Sequence, residues 1–499
     1  MGLAKEKLFG TKPSMWPRLS QLVKTGELLP TDLAYAKLRS PQKTEDEAAI
    51  DCALLLMARK GHLCLDLTQP SQMDQLPPQL LEMVCKGANG QTLFSLGKSA
   101  HFEEQIATHL LRLLSYSQAT HSIERIDGAN KQQQKAVELA STHPLSLITG
   151  GPGTGKSYTA TKIVESFLAE GKAKVLVAAP TGKASSHLGS KMEPFGQCVK
   201  SSTLHSLLQV RSPLDYFQKP PKLQADLLIV DEASMIDPPL FARLLTSIEE
   251  GTHLVLMGDP NQLPAVEGGS LFTDLVGLEI PKAELKQCMR TDRREILDLA
   301  DAILNGNKDA ITTIDLGFAE KKIEAIYENL WGYAKEHAPN DWIQNPDAFR
   351  ILSTLRKGPL GSSALNEFLF SKFSSLTNQV PIMITRNDTV TGLSNGETGV
   401  LVDGEIAYFG DGKQVRRHEL PPFEYAYALS VHKSQGSEYD HVLLLVPEGS
   451  ENFGKEVLYT AVTRAKDKVE MEGDKEVIAS ALQRSSGKIS SLERRLEGV

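Results

Sequence analysis

Residues 150–157 read Gly150-Gly151-Pro152-Gly153-Thr154-Gly155-Lys156-Ser157 and fit the pattern G-x-x-x-x-G-K-[ST]. The apolar run Leu145-Ser146-Leu147-Ile148-Thr149 precedes them, as a buried strand would. Ile163, Val164 and Phe167 follow on one helical face, with Gly171 as a stop signal. Strand, glycine loop and helix form the context in which this pattern binds a nucleotide. Glycines let backbone N–H groups turn inward as an anion nest, and the helix N-terminus adds partial positive charge. Lys156 is placed to reach the β- and γ-phosphates, and Ser157 to hold Mg²⁺. The nucleotide contacts expected here run from Gly150 to Tyr158. The competing reading is a glycine turn with no ligand, and the flanking strand and helix argue against it.

Three more apolar runs follow, and each ends in polar residues. Ala173–Ala178 leads to Ala179-Pro180-Thr181-Gly182-Lys183, with Thr203-Leu204-His205 further on. Small donors at strand ends suit phosphate contacts along a nucleic-acid backbone, although each alone reads as an ordinary loop. Ala225–Val230 delivers Asp231-Glu232-Ala233-Ser234. Here Asp231 is expected to hold Mg²⁺, directly or through Ser157 and water, and Glu232 to orient or deprotonate the attacking water. His253–Met257 ends in Gly258-Asp259-Pro260-Asn261-Gln262, and Gln262 is assigned the sensing of the γ-phosphate. Four strands alternating with helices, with every motif at a strand C-terminus, predict a parallel α/β sheet with its ligand along that edge. Between the second and third runs, Arg211–Lys222 carries three prolines and reads as an exposed insertion.

Composition sets the outer bounds. At 499 residues there is room for three or four domains. Cys52, Cys64, Cys85, Cys198 and Cys288 are scattered with no C-x-x-C pair, which argues against a disulfide framework or zinc ribbon and suits a reducing cytoplasm. The start has no signal-peptide core, Glu6 spoils a myristoylation site, and the longest apolar run, Cys52–Ala58, is too short to span a bilayer. The net charge of −8 counts mildly against a nucleic-acid partner, but a groove can be locally basic on an acidic protein.

The flanking regions are read more coarsely. Residues 1 to about 115 carry no phosphate or metal motif. Leu33–Leu38, Glu47–Lys60 and the stripe Phe102, Ile106, Leu110, Leu113 look helical, and Gly61–Leu67 alternates like a strand. A small helical domain with its own core is the plain reading, and a docking domain for another subunit the sharper one. Gln132-Gln133-Gln134 opens a helix before the phosphate loop, and an amide there can read an adenine edge. Leu285–Arg294 begins a second block, in which Arg290 is a candidate arginine finger. Phe349–Ser353 is strand-like, and Pro381–Arg416 is a small all-β unit of hairpins. Val431–Asp440 is polar and precedes a buried strand, His441–Val446. Val457–Lys468 reads as a helix with Arg464 near its end, and the tail from Ser485 is expected to fray.

Taken in order, these motifs resemble the superfamily 1 helicases, and within them the RecD-type, 5′-to-3′ branch. The resemblance covers about 130–468 and rests on the phosphate loop, Ala179–Lys183, Asp231–Ser234, Gly258–Leu263, Val431–Gly436 and Tyr459–Ala465. Leu393-Ser394-Asn395-Gly396-Glu397 looks like part of the family's small β-barrel insertion, and the N-terminal segment is similar to the domain by which such a subunit of exodeoxyribonuclease V docks onto its large partner. The resemblance implies two RecA-like P-loop NTPase domains with parallel sheets, an SH3-like barrel inserted in the second, and an N-terminal helical domain. The implied division is 1–115 for partner docking, 116–284 for the first RecA-like domain with a short insertion at 209–224, 285–360 with 425–499 for the second, and 361–424 for the barrel. ATP is expected between the two domains, with Lys156, Ser157, Asp231, Glu232 and Gln262 from the first and Arg290 and Arg464 from the second. Gln133 matches the adenine-reading glutamine, while Pro180, Thr181, Thr203, His205, Asn395, His432, Ser434 and Gln435 fall in motifs that hold single-stranded DNA. Ser430 stands where the family pattern has threonine, and a hydroxyl is retained. The implied role is ATP-driven translocation on DNA ends in double-strand-break repair and recombination, with RecB- and RecC-type partners and the nuclease on another chain. Two other roles fit the same residues: a stand-alone RecD-type helicase, and a DNA-independent P-loop ATPase scaffold.

Overall fold

The computed structural model describes residues 15–497 apart from 40–41, 116–125, 170, 172–173, 266–267, 270, 288–293, 319–321, 389, 411 and 485–486. The N-terminal helices Pro17–Thr25, Pro30–Arg39, Glu45–Arg59 and Pro78–Gly87 close around Trp16, Leu19, Leu33, Cys52 and Met57. Thr44 starts the third helix with a capping box, its hydroxyl accepting from Glu47 N–H while the Glu47 carboxylate accepts from Thr44 N–H. Asp32 and Asp51 are buried on these helices and are neutralised by Arg59 and by Arg39 with Lys43. A two-stranded ribbon, β1 (Cys64–Asp66) and β2 (Leu93–Ser95), finishes the unit.

The first large sheet has six parallel strands: β3 (Leu145–Gly150), β4 (Val175–Ala179), β5 (Val199–Thr203), β6 (Leu227–Val230), β7 (His253–Gly258) and β8 (Lys282–Leu285), in the order β5-β4-β6-β7-β3-β8. β3, β6 and β7 are buried on both faces, as their continuous Leu/Ile/Val runs require. These three adjacent strands end in the phosphate loop, in Asp231 and in Asp259, so the topology alone brings three motifs together. The sequence marked four strands here; β5 and β8 are the polar edges. The helix Gly97–Ser115 buries Phe102, Ile106, Leu110 and Leu113 in the core of this first lobe, and its Arg112 donates to the carbonyls of Leu245 and Ile248. By core membership it goes with the first sheet, although the sequence grouped it with the N-terminal helices.

The second lobe takes in the helices Arg294–Leu304 and Ile323–His337, and its first strand is β9 (Phe349–Ser353). Five antiparallel strands follow: β10 (Gln379–Ile384), β11 (Thr398–Val402), β12 (Ile406–Phe409), β13 (Gln414–Arg416) and β14 (Phe423–Tyr425), in the order β13-β12-β11-β10-β14. The chain then returns through β15 (Ala428–Ser430), β16 (Tyr439–Val446) and β17 (Ala465–Gly473), which form a parallel sheet β15-β9-β16-β17. The helix expected over 457–468 is shorter, Lys455–Val462, because residues from Ala465 onward pair with β16 as an edge strand. Arg211–Lys222 is an exposed excursion, as expected: Leu214 and Phe217 point outward, while Arg243 pins its base by donating to Leu208 O and Gln218 O.

The tail departs from its expected fraying. Beyond 485–486, which lie outside the described residues, it runs back across the N-terminal unit and the first lobe. Leu63 N–H donates to Ile489 O (3.0 Å), Ile489 N–H to His62 Nδ1 (3.0 Å), and Lys488 Nζ to Ala265 O. Ser491 donates twice to the buried Glu103 carboxylate, Ser490 donates to Asp274, and Leu492 is fully buried in the first-lobe core. Burial above all, aided by the charges of Glu103 and Glu493, pushes Asp274 up to about 6. A carboxyl raised on folding lends stability that is fully present below its unfolded pKa and lost as pH rises through the folded value. Asp274→Asn should therefore raise the urea midpoint over wild type at pH 8 and leave it unchanged near pH 4; equal midpoints at pH 8 would remove this carboxyl from the seam's energetics.

Candidate active site

The phosphate loop wraps the end of β3 and enters the helix Lys156–Ala169. Gly153 and Gly155 have φ of 73° and 85°, a left-handed conformation that glycine adopts without strain. Thr154 Oγ1 donates to Gly151 O (2.8 Å), and Lys156 Nζ donates to the carbonyls of Gly150 (2.7 Å) and Gly151 (3.1 Å), so the ammonium lies across the loop. A cavity of about 490 Å³ opens in front of it. Residues 151–158 form one wall, with Asp231, Glu232 and Gln262 beside them, and Arg464, Lys466 and Glu438 of the second lobe face them. A second cavity of about 450 Å³ adjoins the loop at Gly150–Pro152 and is walled by Pro260, Leu285, Ile296, Ala300 and Tyr459.

Asp231 sits one residue past β6, and its N–H donates to Ala178 O. Burial pushes its carboxyl upward against the pull of Lys156 and of the Glu232 N–H (2.9 Å). Glu232 stands at φ 52°, ψ 41°, a left-handed conformation that costs a non-glycine residue energy. That turn sends consecutive carboxylates to the same cavity. Burial first, then the Asp231 charge, raises Glu232, while Arg464 and Lys156 pull it down. The two carboxyls and the Ser157 hydroxyl offer an all-oxygen donor set. Ser157 and Asp231 therefore suit a hard, oxygen-loving ion such as Mg²⁺.

The two lobes meet in a seam of hydrogen bonds. Leu263 N–H donates to Thr460 Oγ1 (2.9 Å), Gln435 Nε2 to Leu263 O (2.9 Å), and Tyr459 Oη to Asp259 Oδ2 (2.8 Å). The buried Gln262 sits inside the seam, its Nε2 reaching Asp259 Oδ2 at 3.4 Å. Arg464 is 4% exposed; Nε donates to Thr460 O (3.1 Å) and Nη1 to Ser437 O (3.3 Å), which aims the guanidinium across the cavity. Lys156, Ser157, Asp231, Glu232, Gln262 and Arg464 thus converge. Arg290 lies outside the described residues. Gln133 is buried and lines neither cavity; its Oε1 accepts from Asn130 N–H as half of a capping box.

The expected DNA-binding positions divide into two groups. Thr181 follows Pro180, caps the helix Gly182–Met192, and touches Gly436 closely enough that a Cβ there would lie 3.2 Å from its hydroxyl. Ser394, beside Asn395, packs on Gly182. Thr203 and His205 lie at the end of the edge strand β5, with Thr203 capping a short helix. Ser434 Oγ and Gln435 Nε2 are turned to the carbonyls of Val431 and Leu263, and His432 is half-buried beside Phe453. The sequence reading missed Lys183, Tyr459 and Lys466. Lys183 and Lys466 face the cavity, Tyr459 locks the seam, and all three stand inside or next to motifs already quoted.

Comparison with known proteins gives the family. Residues 128–323 match the AAA domain family and residues 425–471 the UvrD-like helicase C-terminal domain. RecBCD enzyme subunit RecD of Mycolicibacterium smegmatis is 31% identical over 96% of this chain and 99% of its own. The ATP-dependent RecD2 DNA helicase of Deinococcus radiodurans is 31% identical over 74% of this chain and 52% of its own. A solved structure of Bacteroides Pif1 bound to ssDNA aligns with a TM-score of 0.45 at 19% identity, over 71% of this chain and 94% of that one.

Two substitutions test the site. Lys156→Ala should abolish ATP hydrolysis, and normal turnover would refute the site. Arg464→Ala should still bind nucleotide in a fluorescence titration while turnover falls by about 10³-fold or more, the usual effect of losing an arginine finger; unimpaired turnover would remove the arginine from its role. From its sequence and its site, the chain belongs to the family of the RecBCD enzyme subunit RecD.

Proposed function

We propose that this chain is an ATP-dependent DNA helicase that moves 5′-to-3′ along single-stranded DNA as the RecD-type subunit of an exodeoxyribonuclease V complex. One observation carries the motor reading: Arg464 from the second lobe and Lys156, Asp231, Glu232 and Gln262 from the first line a single cavity. ATP in that cavity would join the lobes, with Lys156 on its β- and γ-phosphates and Arg464 on the developing charge. Ser157 and Asp231 would hold Mg²⁺, which supplies charge neutralisation on the phosphate oxygens. Glu232 would take the proton of the attacking water. Gln262 would register the γ-phosphate, and the bonds from Asp259 and Leu263 to Tyr459, Thr460 and Gln435 would pass that change to the second lobe. The apolar second cavity would take the base. Loss of the γ-phosphate breaks the bridge, the cleft opens, and alternating grips on DNA turn each cycle into a step.

The backbone grip would come from Pro180, Thr181, Thr203, His205, His432 and Asn395, with Ser434 and Gln435 shaping the loop through their bonds to the backbone. Contacts to phosphates make such a grip indifferent to sequence. We read the five-stranded antiparallel sheet as an SH3-like barrel inserted at 361–424, and residues 1–115 as the unit that meets a RecB-type partner in the cytoplasm. The names of the relatives and the coverage of the M. smegmatis subunit support this assignment. The nuclease is assigned to a partner chain. Unwinding of duplexes with 5′ or 3′ tails, with and without candidate RecB- and RecC-type subunits, tests the proposal. Preference for 5′ tails, with co-purification of two larger chains, is expected. A 3′ preference overturns the polarity, full activity with no partner favours a stand-alone helicase, and ATPase activity indifferent to single-stranded DNA overturns the motor.

A further inference from the structure

In the second lobe, outside the residues that line the nucleotide cavity, three ligand-type side chains converge from three elements. His337 is the last residue of the helix Ile323–His337, His441 lies on β16 and Glu470 on β17. One ligand atom from each lies within 4.8 Å of the others. The strands that carry His441 and Glu470 pair in parallel, His441 opposite Lys468 and Glu470 opposite Leu443, which holds two of the donors on one sheet.

The His337 ring is set up to receive a cation. His337 Nδ1 lies 2.9 Å from Tyr333 O, and since a carbonyl only accepts, that nitrogen carries the proton. The neutral ring then keeps its lone pair on Nε2. Its tautomer is fixed by a backbone carbonyl, as metal-ligating histidines usually require. His441 Nε2 lies 2.9 Å from Glu470 Oε2 and 3.0 Å from Tyr333 Oη. Tyr333 also bonds Glu470 and stacks on His337, with ring centroids 4.1 Å apart, so it braces all three donors.

We propose that His337, His441 and Glu470 form a binding site for one divalent d-block cation of the zinc class. Two imidazoles and a carboxylate suit such ions, with water or the Tyr333 hydroxyl as fourth ligand. Bonds of about 2.0–2.2 Å set tetrahedral ligand atoms roughly 3.3 Å apart, so the side chains close in slightly around the ion. The His441 proton moves to Nδ1 and frees Nε2. Lys468, which lies 2.8 Å from Glu470 Oε2 with half its side chain exposed, swings into solvent. The bound ion ties the helix to two strands of the sheet and acts as a staple of the second lobe, using none of the groups assigned to hydrolysis.

The test uses the full chain, stripped with a chelator and titrated with Zn²⁺ alone against a chromophoric chelator. The expected result is one equivalent that His337→Ala and Glu470→Gln each weaken at least about tenfold, with ATP turnover retained. Anomalous diffraction at the zinc edge should place the ion between the three side chains. Glu470→Gln keeps shape and volume, so it reports even if the alanine variant folds poorly. Variants that bind zinc as wild type does, a zinc peak elsewhere, or a wild type that takes up no equivalent at micromolar zinc would each overturn the proposal.

Discussion

The nucleotide site depends on a few hydrogen bonds that hold the loop 259–263 of the first lobe against the helix Lys455–Val462 of the second. Tyr459 to Asp259, Thr460 to Leu263 and Gln435 to Leu263 are buried bonds, and buried polar groups lose several kcal/mol when left unpaired. Through them Arg464, two residues past the helix, is aimed at a carboxylate pair on another lobe. Thr460 serves twice: its hydroxyl receives Leu263 N–H, and its carbonyl receives Arg464 Nε. A shift of the first-lobe loop is therefore felt at the guanidinium through one residue.

Electrostatics reinforces this layout. Asp231 and Glu232 are both lifted by burial, and the Asp231 charge lifts Glu232 further. Lys156 and Arg464, one from each lobe, are the cations that counter Glu232. A triphosphate with its ion would relieve the carboxylates and engage both cations together, which couples binding to the approach of the lobes. The left-handed Glu232 shows the cost accepted to present adjacent carboxylates to one cavity.

Much of this was legible in the chain because central parallel strands are apolar on both faces. β3, β6 and β7 announce themselves as uninterrupted Leu, Ile and Val runs, and each ends in its motif. The edges were not legible. β5 is Val-Lys-Ser-Ser-Thr and β8 is Lys-Ala-Glu-Leu, sequences that have half a sheet to pack on and no continuous apolar signal. β17 was read as helix because its start, Ala465-Lys466-Asp467-Lys468, carries no strand pattern, and only pairing with β16 makes it extended. The tail was misjudged for a related reason. Its serines and glycine look like a frayed end, yet Ser490 and Ser491 answer carboxylates more than 200 residues away, a match no local window contains.

That tail bears on the order of assembly during synthesis. Cys64 lies in the first strand of the chain, and its sulfur meets Ile489 O, 425 residues later. At 5–20 residues per second the ribosome needs roughly 20–90 s to make the intervening chain. The N-terminal helices can bury their own core in that time, but the groove along Leu63–Cys64 and the Glu103 carboxylate stay open until residues 489–491 emerge. The seam can therefore close only after both lobes have been made, and residues 488–492 act as a late strap between the first lobe and the N-terminal unit.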